Sequence, residues 1–420
     1  MHWYLLGAAA ATAVVFLAFV NLHTVTPAVR EVDHLYGLGS PQFKRSMGTL
    51  LGPALLEGNK VDVLLNGDQI FPAMLAAIQG ARRSITFETY IYWSGKIGKQ
   101  FADALCDRAR AGVAVHLLLD WVGAGKIDRA TVESMKEAGV EVEKYRPLKW
   151  HNLTRLNNRT HRKLLVVDGA IGFTGGVGIA DIWSGHAQDP DHWRDSHFRL
   201  EGPAVAQMQS AFLDNWLKLK PRTLHGDDYF PPLQSAGEAC GQVFKSSFGE
   251  GSESARLMYL LSIASAERSI LLSNSYFVPD QVAVAQLVAA RRRGVRVEII
   301  VPGKHTDSQV VRKASRAQWK ALLEAGVEIH EYQPTMYHVK VMVVDGIWAS
   351  VGSTNFDPRS FSLNDEANLN VMDAEFARQQ EQVFEDDKLQ SRRITLEMWR
   401  NRPLWERFQE RLAGLLRSQL

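Results

Sequence analysis

The sequence HRKLLVVD at His161–Asp168 recurs as HVKVMVVD at His338–Asp345. Both copies keep the spacing His-x-Lys-x4-Asp around a run of apolar residues. Alternation along a β-strand places the His and Lys side chains on one face, while Val and Leu fill the other. One copy would be a weak motif, but two copies at matching places of a repeat form a strong one. The pair therefore predicts two strands that each present a histidine and a lysine to a site.

The similarity extends outward from these two motifs. AGVEVEKYRP at Ala138–Pro147 matches AGVEIHEYQP at 325–334, and Ala81–Glu88 matches Ala266–Ser273. Short β-branched or apolar runs alternate with helical stretches in each half, which is typical of α/β layers. We predict an α/β fold of two similar α/β/α sandwich domains, related by a pseudo-twofold axis, with the active site at their interface and a hydrophobic helix at the N-terminus.

Composition narrows the class of protein. The chain of 420 residues has 46% hydrophobic residues, which predicts a large buried core. Its 48 Lys and Arg against 46 Asp and Glu leave a net charge of +2, so no global field collects nucleic acid. Two cysteines are too few for a disulfide framework or a structural zinc site.

The N-terminus departs from this average. Trp3–Val20 carries no charge, and at 1.5 Å per residue it spans about 27 Å, close to the hydrocarbon thickness of a membrane. We interpret it as an uncleaved membrane anchor; a cleaved signal peptide and a buried segment are the alternatives. The predicted boundaries are 1–24 for the anchor, 25–60 for a linker, 61–220 for the first domain, 221–251 for a connection, and 252–420 for the second domain with an amphipathic C-terminal helix.

Two imidazoles that meet across the interface could share covalent catalysis at phosphorus. One attacks as a neutral nucleophile, and the other donates a proton to the leaving oxygen. The two lysines would supply positive charge for the non-bridging oxygens. This chemistry requires no metal and no cofactor.

From about Val61 to the C-terminus the two halves resemble the phospholipase D superfamily, whose enzymes carry duplicated HKD motifs. Within it the chain is most similar to bacterial cardiolipin synthases. The segments that carry this likeness are Phe87–Tyr90, Trp193–His197, Tyr276–Pro279, Asn364–Glu366 and Arg402–Arg407. The resemblance implies that His161 is the nucleophile that forms a phosphohistidine and that His338 is the general acid and base. It also implies that Lys163, Lys340 and Asn355 hold the phosphate.

Carboxylates complete the implied site. By resemblance Glu366 would orient the histidine of the second motif, and Asp195 is the candidate to orient that of the first. Asp168 and Asp345 would mainly buttress the motif loops. The first half departs from the family pattern at Gly178, which stands where the second half has an asparagine. A phosphate ligand is therefore expected to be missing on that side.

The resemblance implies transfer of a phosphatidyl group to phosphatidylglycerol, which forms cardiolipin, with phosphatidylethanolamine as a candidate donor. The alternatives are a hydrolytic phospholipase D that releases phosphatidic acid, an HKD-type nuclease and a non-catalytic membrane lipid-binding protein. The near-zero net charge argues against the nuclease, which needs a basic groove. The expected partners are phospholipids and a membrane, without nucleic acid. The expected location is the bacterial inner membrane, with a single N-terminal anchor.

The C-terminal stretch has helical periodicity, with apolar residues on one stripe and arginines around it. The stripe consists of Leu404, Trp405, Phe408, Leu412, Leu415 and Leu416. A terminal helix of this kind most often docks its apolar stripe on the core, and we expect that arrangement here. The alternative is a basic amphipathic helix that lies on anionic lipid.

Overall fold

The computed structural model of the protein describes Thr12 and residues 31–147, 157–247 and 253–419. The predicted anchor, 1–24, lies outside these ranges apart from Thr12. Within the described part of the chain, no helix is both long and apolar enough to cross a bilayer.

The first half alternates strands and helices, as the repeat predicts. Its elements are α1 (Pro41–Leu51), β1 (Leu56–Leu65), α2 (Asn66–Gly80), β2 (Ser84–Thr89), α3 (Lys96–Arg110), β3 (Ala114–Asp120), α4 (Arg129–Glu137), β4 (Glu141–Tyr145), β5 (Leu164–Val167), β6 (Ile171–Gly175), a 3₁₀ turn (Asp181–Trp183), β7 (Ser196–Glu201) and α5 (Val205–Trp216).

The second half repeats this order and then adds C-terminal elements. Its elements are β8 (Ala239–Ser246), α6 (Ser254–Ala264), β9 (Ser269–Asn274), α7 (Gln281–Arg292), β10 (Arg296–Pro302), α8 (Gln309–Ala317), α9 (Trp319–Glu324), β11 (Glu328–Tyr332), β12 (Lys340–Val344), β13 (Trp348–Gly352), α10 (Pro358–Ser362), β14 (Glu366–Met372), α11 (Ala374–Leu389), β15 (Ser391–Ile394), α12 (Leu396–Arg400), α13 (Leu404–Leu415) and a 3₁₀ turn (Arg417–Gln419).

The strands form one 15-stranded sheet in the order β15-β11-β10-β9-β12-β13-β14-β8-β1-β7-β6-β5-β2-β3-β4. At its centre, β1 and β8 pair with each other antiparallel. The strands follow matching orders on either side of this pair, with β15 added at one edge, so the two halves of the sheet are related by approximate symmetry. The predicted α/β class and duplicated architecture are confirmed. The two sandwiches that the sequence predicts are joined, since a single sheet runs through both halves.

Two predicted boundaries fall inside this sheet. Strand β1 begins at Leu56, ahead of the expected domain start at 61, and β8 lies within the predicted connection 221–251. The sequence of β8 hides a buried strand because polar residues interrupt its apolar pattern. One of them, Gln242, is fully buried and accepts a hydrogen bond from Asn370 Nδ2 at 2.9 Å. Such pairing removes the cost of burying an amide.

The predicted linker, 25–60, contains α1. Phe43, Met47 and Leu51 recur at every fourth position, so they share one face of this helix. All three are buried in the core cluster of the second half. The segment is therefore part of the packed fold.

An aspartate directly after each motif strand accepts hydrogen bonds from the backbone of a neighbouring segment. Asp168 and Asp345 have left-handed backbones, with φ of 53° and 55°. The Asp168 carboxylate accepts hydrogen bonds from the backbone N–H groups of residues 82–84 at 2.7–3.1 Å. The Asp345 carboxylate accepts the equivalent bonds from residues 267–269 at 2.7–2.9 Å. These aspartates therefore tie each motif strand to the start of its neighbour, as the resemblance implies.

Candidate active site

Both motif histidines line one pocket, whose volume is about 330 Å³. Lys163 and Asn355 line it as well, so the fold brings together side chains that lie far apart in the sequence. Because the two histidines come from different halves, the pocket lies where the halves face each other.

Backbone bonds between the halves create this arrangement. The His161 N–H donates to the Asp365 carbonyl at 2.8 Å, and the His338 N–H donates to the Arg194 carbonyl at 2.8 Å. The segment that precedes each motif histidine thus pairs with the other half. Each histidine enters the pocket beside residues of the opposite repeat.

Each carboxylate of the site also contacts the histidine of the other half. His161 Nδ1 lies 3.0 Å from both Glu366 oxygens, and His338 Nδ1 lies 2.7 Å from Asp195 Oδ2. The predicted assignment of Glu366 to His338 and of Asp195 to His161 is therefore wrong. The cause is the backbone pairing between the halves, in which Thr160 bridges to Asp365 and Tyr337 bridges to Arg194. This pairing places the carboxylate at the start of β14 beside the first motif and the one just before β7 beside the second.

Glu366 and Asp195 occupy equivalent positions of the repeat. Gly352 pairs with Asn368 in one half and Gly175 with His197 in the other, and each carboxylate lies two residues before its paired residue. In the first half Gly176 leaves room for the acid, because a Cβ there would lie 2.2 Å from an Asp195 oxygen.

Burial sets the protonation of the histidines. It lowers the pKa of His161 to about 4, although the charge of Glu366 opposes the shift. Burial and the charge of Lys340 also lower the pKa of His338. An ionised carboxylate at Nδ1 holds the Nδ1–H tautomer, which leaves the Nε2 lone pair free to react. A neutral His161 is thus prepared for nucleophilic attack.

The two acids remain ionised despite complete burial. Burial acts to raise the pKa of Glu366, but the charges of His161 and Lys163 outweigh it and hold the pKa below the ordinary value. Asp195 behaves in the same way, with His338 and Lys340 as the opposing charges. Each histidine therefore faces a carboxylate that can stabilise its protonated form.

The two lysines are buried, and burial makes their positive charge easier to lose. Burial and the charge of Lys340 lower the pKa of Lys163 to about 7, and burial lowers the pKa of Lys340 to about 8. Lys163 Nζ donates to the His161 carbonyl at 2.8 Å, and Lys340 Nζ donates to Ser275 Oγ at 2.9 Å. Lys163 lines the pocket, and Lys340 Nζ lies 3.3 Å from Nε2 of His338, which also lines it. A phosphodiester anion beside the histidines would offset the cost of burying positive charge on both lysines.

The two halves contribute unlike side chains to the pocket. The first half contributes the largely apolar side chains of Ile91, Trp93, Trp183 and Trp193, together with Tyr90 and Arg159. The second half contributes the polar side chains of Tyr276, Asp307, Asn355, Arg359 and Asn364. The pocket is therefore amphipathic, with tryptophans from the first half and mainly polar side chains from the second.

Gly178 accounts for part of this asymmetry. A Cβ at Gly178 would lie 2.8 Å from Ile91 Cβ and 3.1 Å from a Trp183 ring carbon. In the second half, Asn355 accepts a hydrogen bond from Ser275 Oγ at 2.8 Å. The asparagine expected at 178 is absent because bulky apolar side chains fill its space.

Restoring this asparagine is expected to damage the protein. Gly178→Asn would force Ile91 and Trp183 apart, and overpacking of this kind lowers the free energy of unfolding by about 1–3 kcal/mol. The measurement is thermal unfolding together with turnover. Gly80→Asn is the matched control, because a Cβ at Gly80 meets no atom within 4 Å. Higher activity in Gly178→Asn at unchanged stability would contradict this account.

The sequence assigned no positioning role to several side chains that surround the catalytic set. The rings of Trp183 and Trp193 lie 5.4 and 5.3 Å from the His338 ring, and Trp183 Nε1 donates to Asp195 Oδ2 at 3.0 Å. Tyr90 packs edge-on against His161 at 5.3 Å. A tryptophan has no periodic signal that separates this role from core packing.

Two buried arginines anchor the crossing segments. Arg162 Nε donates to the Glu366 carbonyl at 3.2 Å, while its Nη2 donates to Asp214 at 2.9 Å. Arg194 forms a two-pronged ion pair with Asp387, with both bonds at 2.9 Å. Their positions next to His161 and Asp195 in the sequence were the available signal, because neighbouring side chains of an extended segment point to opposite sides.

The duplicated sheet and the crossed histidine–carboxylate pairs define an enzyme of the phospholipase D superfamily. The family described as cardiolipin synthase, PLD-like domain, matches residues 74–189 and 259–388. The chain belongs to this family, as its motifs predict.

Individual relatives agree with this membership. The chain is 36% identical to a cardiolipin synthase of Geobacillus kaustophilus over 84% of its own length and 71% of the relative's. It is also 36% identical to the major cardiolipin synthase of Bacillus subtilis, over 86% of this chain and 75% of the relative. Among solved structures, a phosphatidylserine synthase of Haemophilus influenzae has a similar fold, with a TM-score of 0.69 at 14% identity over 90% of this chain and 100% of that chain.

Proposed function

We propose that this protein forms cardiolipin by transferring a phosphatidyl group from one phospholipid to a hydroxyl of phosphatidylglycerol. Its family and its cardiolipin synthase relatives support a phosphatidyltransferase of the phospholipase D type. The observation that carries the proposal is the pair of carboxylate-bound histidines in one pocket that aromatic and polar side chains line together. This pocket combines phosphoryl-transfer chemistry with surfaces suited to an amphipathic substrate.

In the first step, His161 Nε2 attacks the phosphorus of the donor lipid. The bond from phosphorus to the headgroup oxygen breaks, and the protonated form of His338, which is the minor form at neutral pH and is stabilised by Asp195, gives its proton to that oxygen. The products are a phosphatidyl-histidine and a free headgroup alcohol. Lys163, Lys340 and Asn355 hold the non-bridging oxygens as charge develops on them.

The second step reverses these roles. His338, now neutral, takes the proton from a hydroxyl of phosphatidylglycerol, and that oxygen attacks phosphorus. The bond between phosphorus and His161 breaks, cardiolipin forms, and both histidines return to their starting states. Asp195 stabilises the imidazolium of His338 between the two steps, because it lies 2.7 Å from Nδ1.

The test is a product assay with the purified full chain. Vesicles that contain phosphatidylglycerol, with and without phosphatidylethanolamine, are incubated with the protein, and the lipids are identified by mass spectrometry. Cardiolipin is expected, and release of glycerol or ethanolamine identifies the donor. Phosphatidic acid alone would overturn the proposal in favour of hydrolysis, and no lipid turnover at all would favour a binding protein.

The proposal includes a location at the bacterial inner membrane. Both substrates are membrane lipids, so the pocket must reach a bilayer surface. The uncharged segment Trp3–Val20 supports attachment through a single N-terminal anchor.

The lysines predict how the rate depends on pH. Lys163 and Lys340 carry charge below pKa values of about 7 and about 8 and lose it above them. We expect kcat/KM to fall as the pH rises through this range, because phosphate binding loses its cations. His161, with a pKa of about 4, stays neutral over the same range. Initial rates with dispersed short-chain phosphatidylglycerol would measure the profile, and kcat/KM that rises steadily from pH 7 to 9 would contradict it.

A further inference from the structure

The helix α13 faces the opposite way from the one expected. Its buried residues are Glu410 and Ala413. The exposed residues of this helix and its end are Leu404, Trp405, Phe408, Leu412, Leu415 and Leu416, which are between 50 and 78% exposed. The prediction that the apolar stripe docks on the core is therefore wrong. We call these six side chains the outer apolar face.

Polar bonds hold the inner side of α13. The buried Glu410 carboxylate accepts from Arg316 Nε at 3.0 Å and from Arg402 Nε at 2.6 Å. Ala413 packs in a small cluster with Val311 and Ala314 of α8. Glu410 and Ala413 are thus held on the inner side of the helix, and this orientation leaves the apolar side chains facing outward.

The outer apolar face is continuous. Trp405 and Phe408 stack with ring centroids 5.5 Å apart, and positions 404, 408, 412 and 416 follow one another at helical spacing. Soluble proteins rarely expose a contiguous apolar surface of this kind, and such surfaces mark sites of interaction.

Positive charge accompanies this face. Arg407, Arg411 and Arg417 are exposed on the same helix and the turn after it. Apolar side chains beside arginines match a bilayer of anionic lipids, in which phosphates lie just above the acyl chains. A second protein would need a complementary acidic and apolar groove, whereas an anionic bilayer supplies both properties.

The surface also reaches the active site. The turn that follows α13 is held by Arg359 Nη1, which donates to the Gln419 carbonyl at 3.1 Å. Asn157 Nδ2 donates to Gln419 Oε1 at 2.8 Å. Arg359 itself lines the active-site pocket. One end of α13 is therefore fixed at the wall of the pocket.

We propose that α13 lies on the surface of an anionic bilayer with its outer apolar face in the lipid, and that it thereby sets the pocket against the substrate membrane. This inference rests on the proposed function, because it assigns the bilayer that holds the substrate. It is separate from any attachment by the N-terminal segment.

The first test measures insertion without relying on activity. Phe408→Cys in the full chain is labelled with an environment-sensitive fluorophore and mixed with vesicles of phosphatidylglycerol and phosphatidylcholine. The natural Cys106 and Cys240 are buried, so the label reports the new site. A blue shift is expected for Phe408→Cys and none for Lys136→Cys, an exposed position on α4. Equal spectra for the two labels in the presence of vesicles would overturn the proposal.

The second test separates docking from chemistry. The variant Trp405→Ser/Phe408→Ser/Leu412→Ser should lose at least about tenfold in turnover of phosphatidylglycerol in vesicles, because the lost apolar contacts weaken bilayer binding. Its turnover of monomeric short-chain phosphatidylglycerol should match that of the parent. Equal losses on both substrates would show a structural role and overturn the proposal.

Two further outcomes have distinct meanings. If the parent converts neither substrate but the label on Phe408→Cys still inserts, the proposed function fails while the membrane surface stands. If the triple variant changes the protein from a dimer to a monomer, measured by analytical ultracentrifugation, and keeps its rate on vesicles, the face binds a second copy instead. That result would overturn the membrane assignment.

Discussion

His161→Ala is expected to lower cardiolipin formation by about 10⁴-fold or more and to leave no covalent intermediate. Removal of a catalytic nucleophile costs rates of this order, because binding alone cannot replace the covalent step. The ring of His161 is suited to that step, since burial keeps it neutral with a pKa of about 4 and Glu366 fixes its tautomer. Turnover and acid-quenched detection of phosphohistidine measure the two effects.

His338→Ala is the informative partner of this variant. It should slow turnover, yet with a donor whose leaving group needs no proton it should still accumulate the phosphohistidine. A trapped intermediate in His161→Ala and none in His338→Ala would reverse the two roles. Both variants keep the carboxylates. Thermal unfolding of each variant serves as the control, because a defect in the fold would change it.

Replacing either carboxylate by its amide is expected to give the same defect as removing the histidine that it contacts, which belongs to the other half of the chain. Glu366→Gln should behave like His161→Ala, and Asp195→Asn should behave like His338→Ala, with losses of about 10²–10⁴-fold. An amide can donate to Nδ1 and so stabilise the wrong tautomer. At His161 that change removes the Nε2 lone pair, whereas at His338 it removes the base of the second step.

The trapping assay distinguishes this crossed arrangement from the uncrossed one. Asp195→Asn should still accumulate phosphohistidine with a good leaving group, while Glu366→Gln should accumulate none. The opposite pattern would show that each carboxylate orients the histidine of its own half. Glu375→Gln, an exposed exchange on α11, serves as the matched control and should leave the rate unchanged.

The sequence was sufficient for the parts of the fold that repeat. Two motif copies and the matching segments around them predict the α/β class, the duplication and the meeting of the two motif histidines at the interface. The partner of each histidine was not predictable, because it depends on backbone bonds such as that between His161 N–H and the Asp365 carbonyl. No local pattern records which half a strand end will contact.

The pattern of apolar and polar residues also gave wrong predictions at places where polar side chains are buried. Gln242 obscured β8, although Asn370 satisfies its amide inside the sheet. Helical periodicity correctly predicted α13 and its apolar stripe but assigned the stripe to the core. The direction of the stripe was decided by Glu410, which the partly buried arginines Arg316 and Arg402 hold on the inner side.

The crossed pairs carry a consequence for how such a chain can evolve. A single repeat would leave its histidine without a carboxylate partner, so an ancestor with one copy would have needed to assemble as a symmetric pair. Joining two copies in one gene removes that symmetry requirement, and mutations can then accumulate independently in either copy. The difference between Gly178 and Asn355 is the kind of specialisation that only the fused gene permits, because a symmetric pair would have to carry the same residue at both positions.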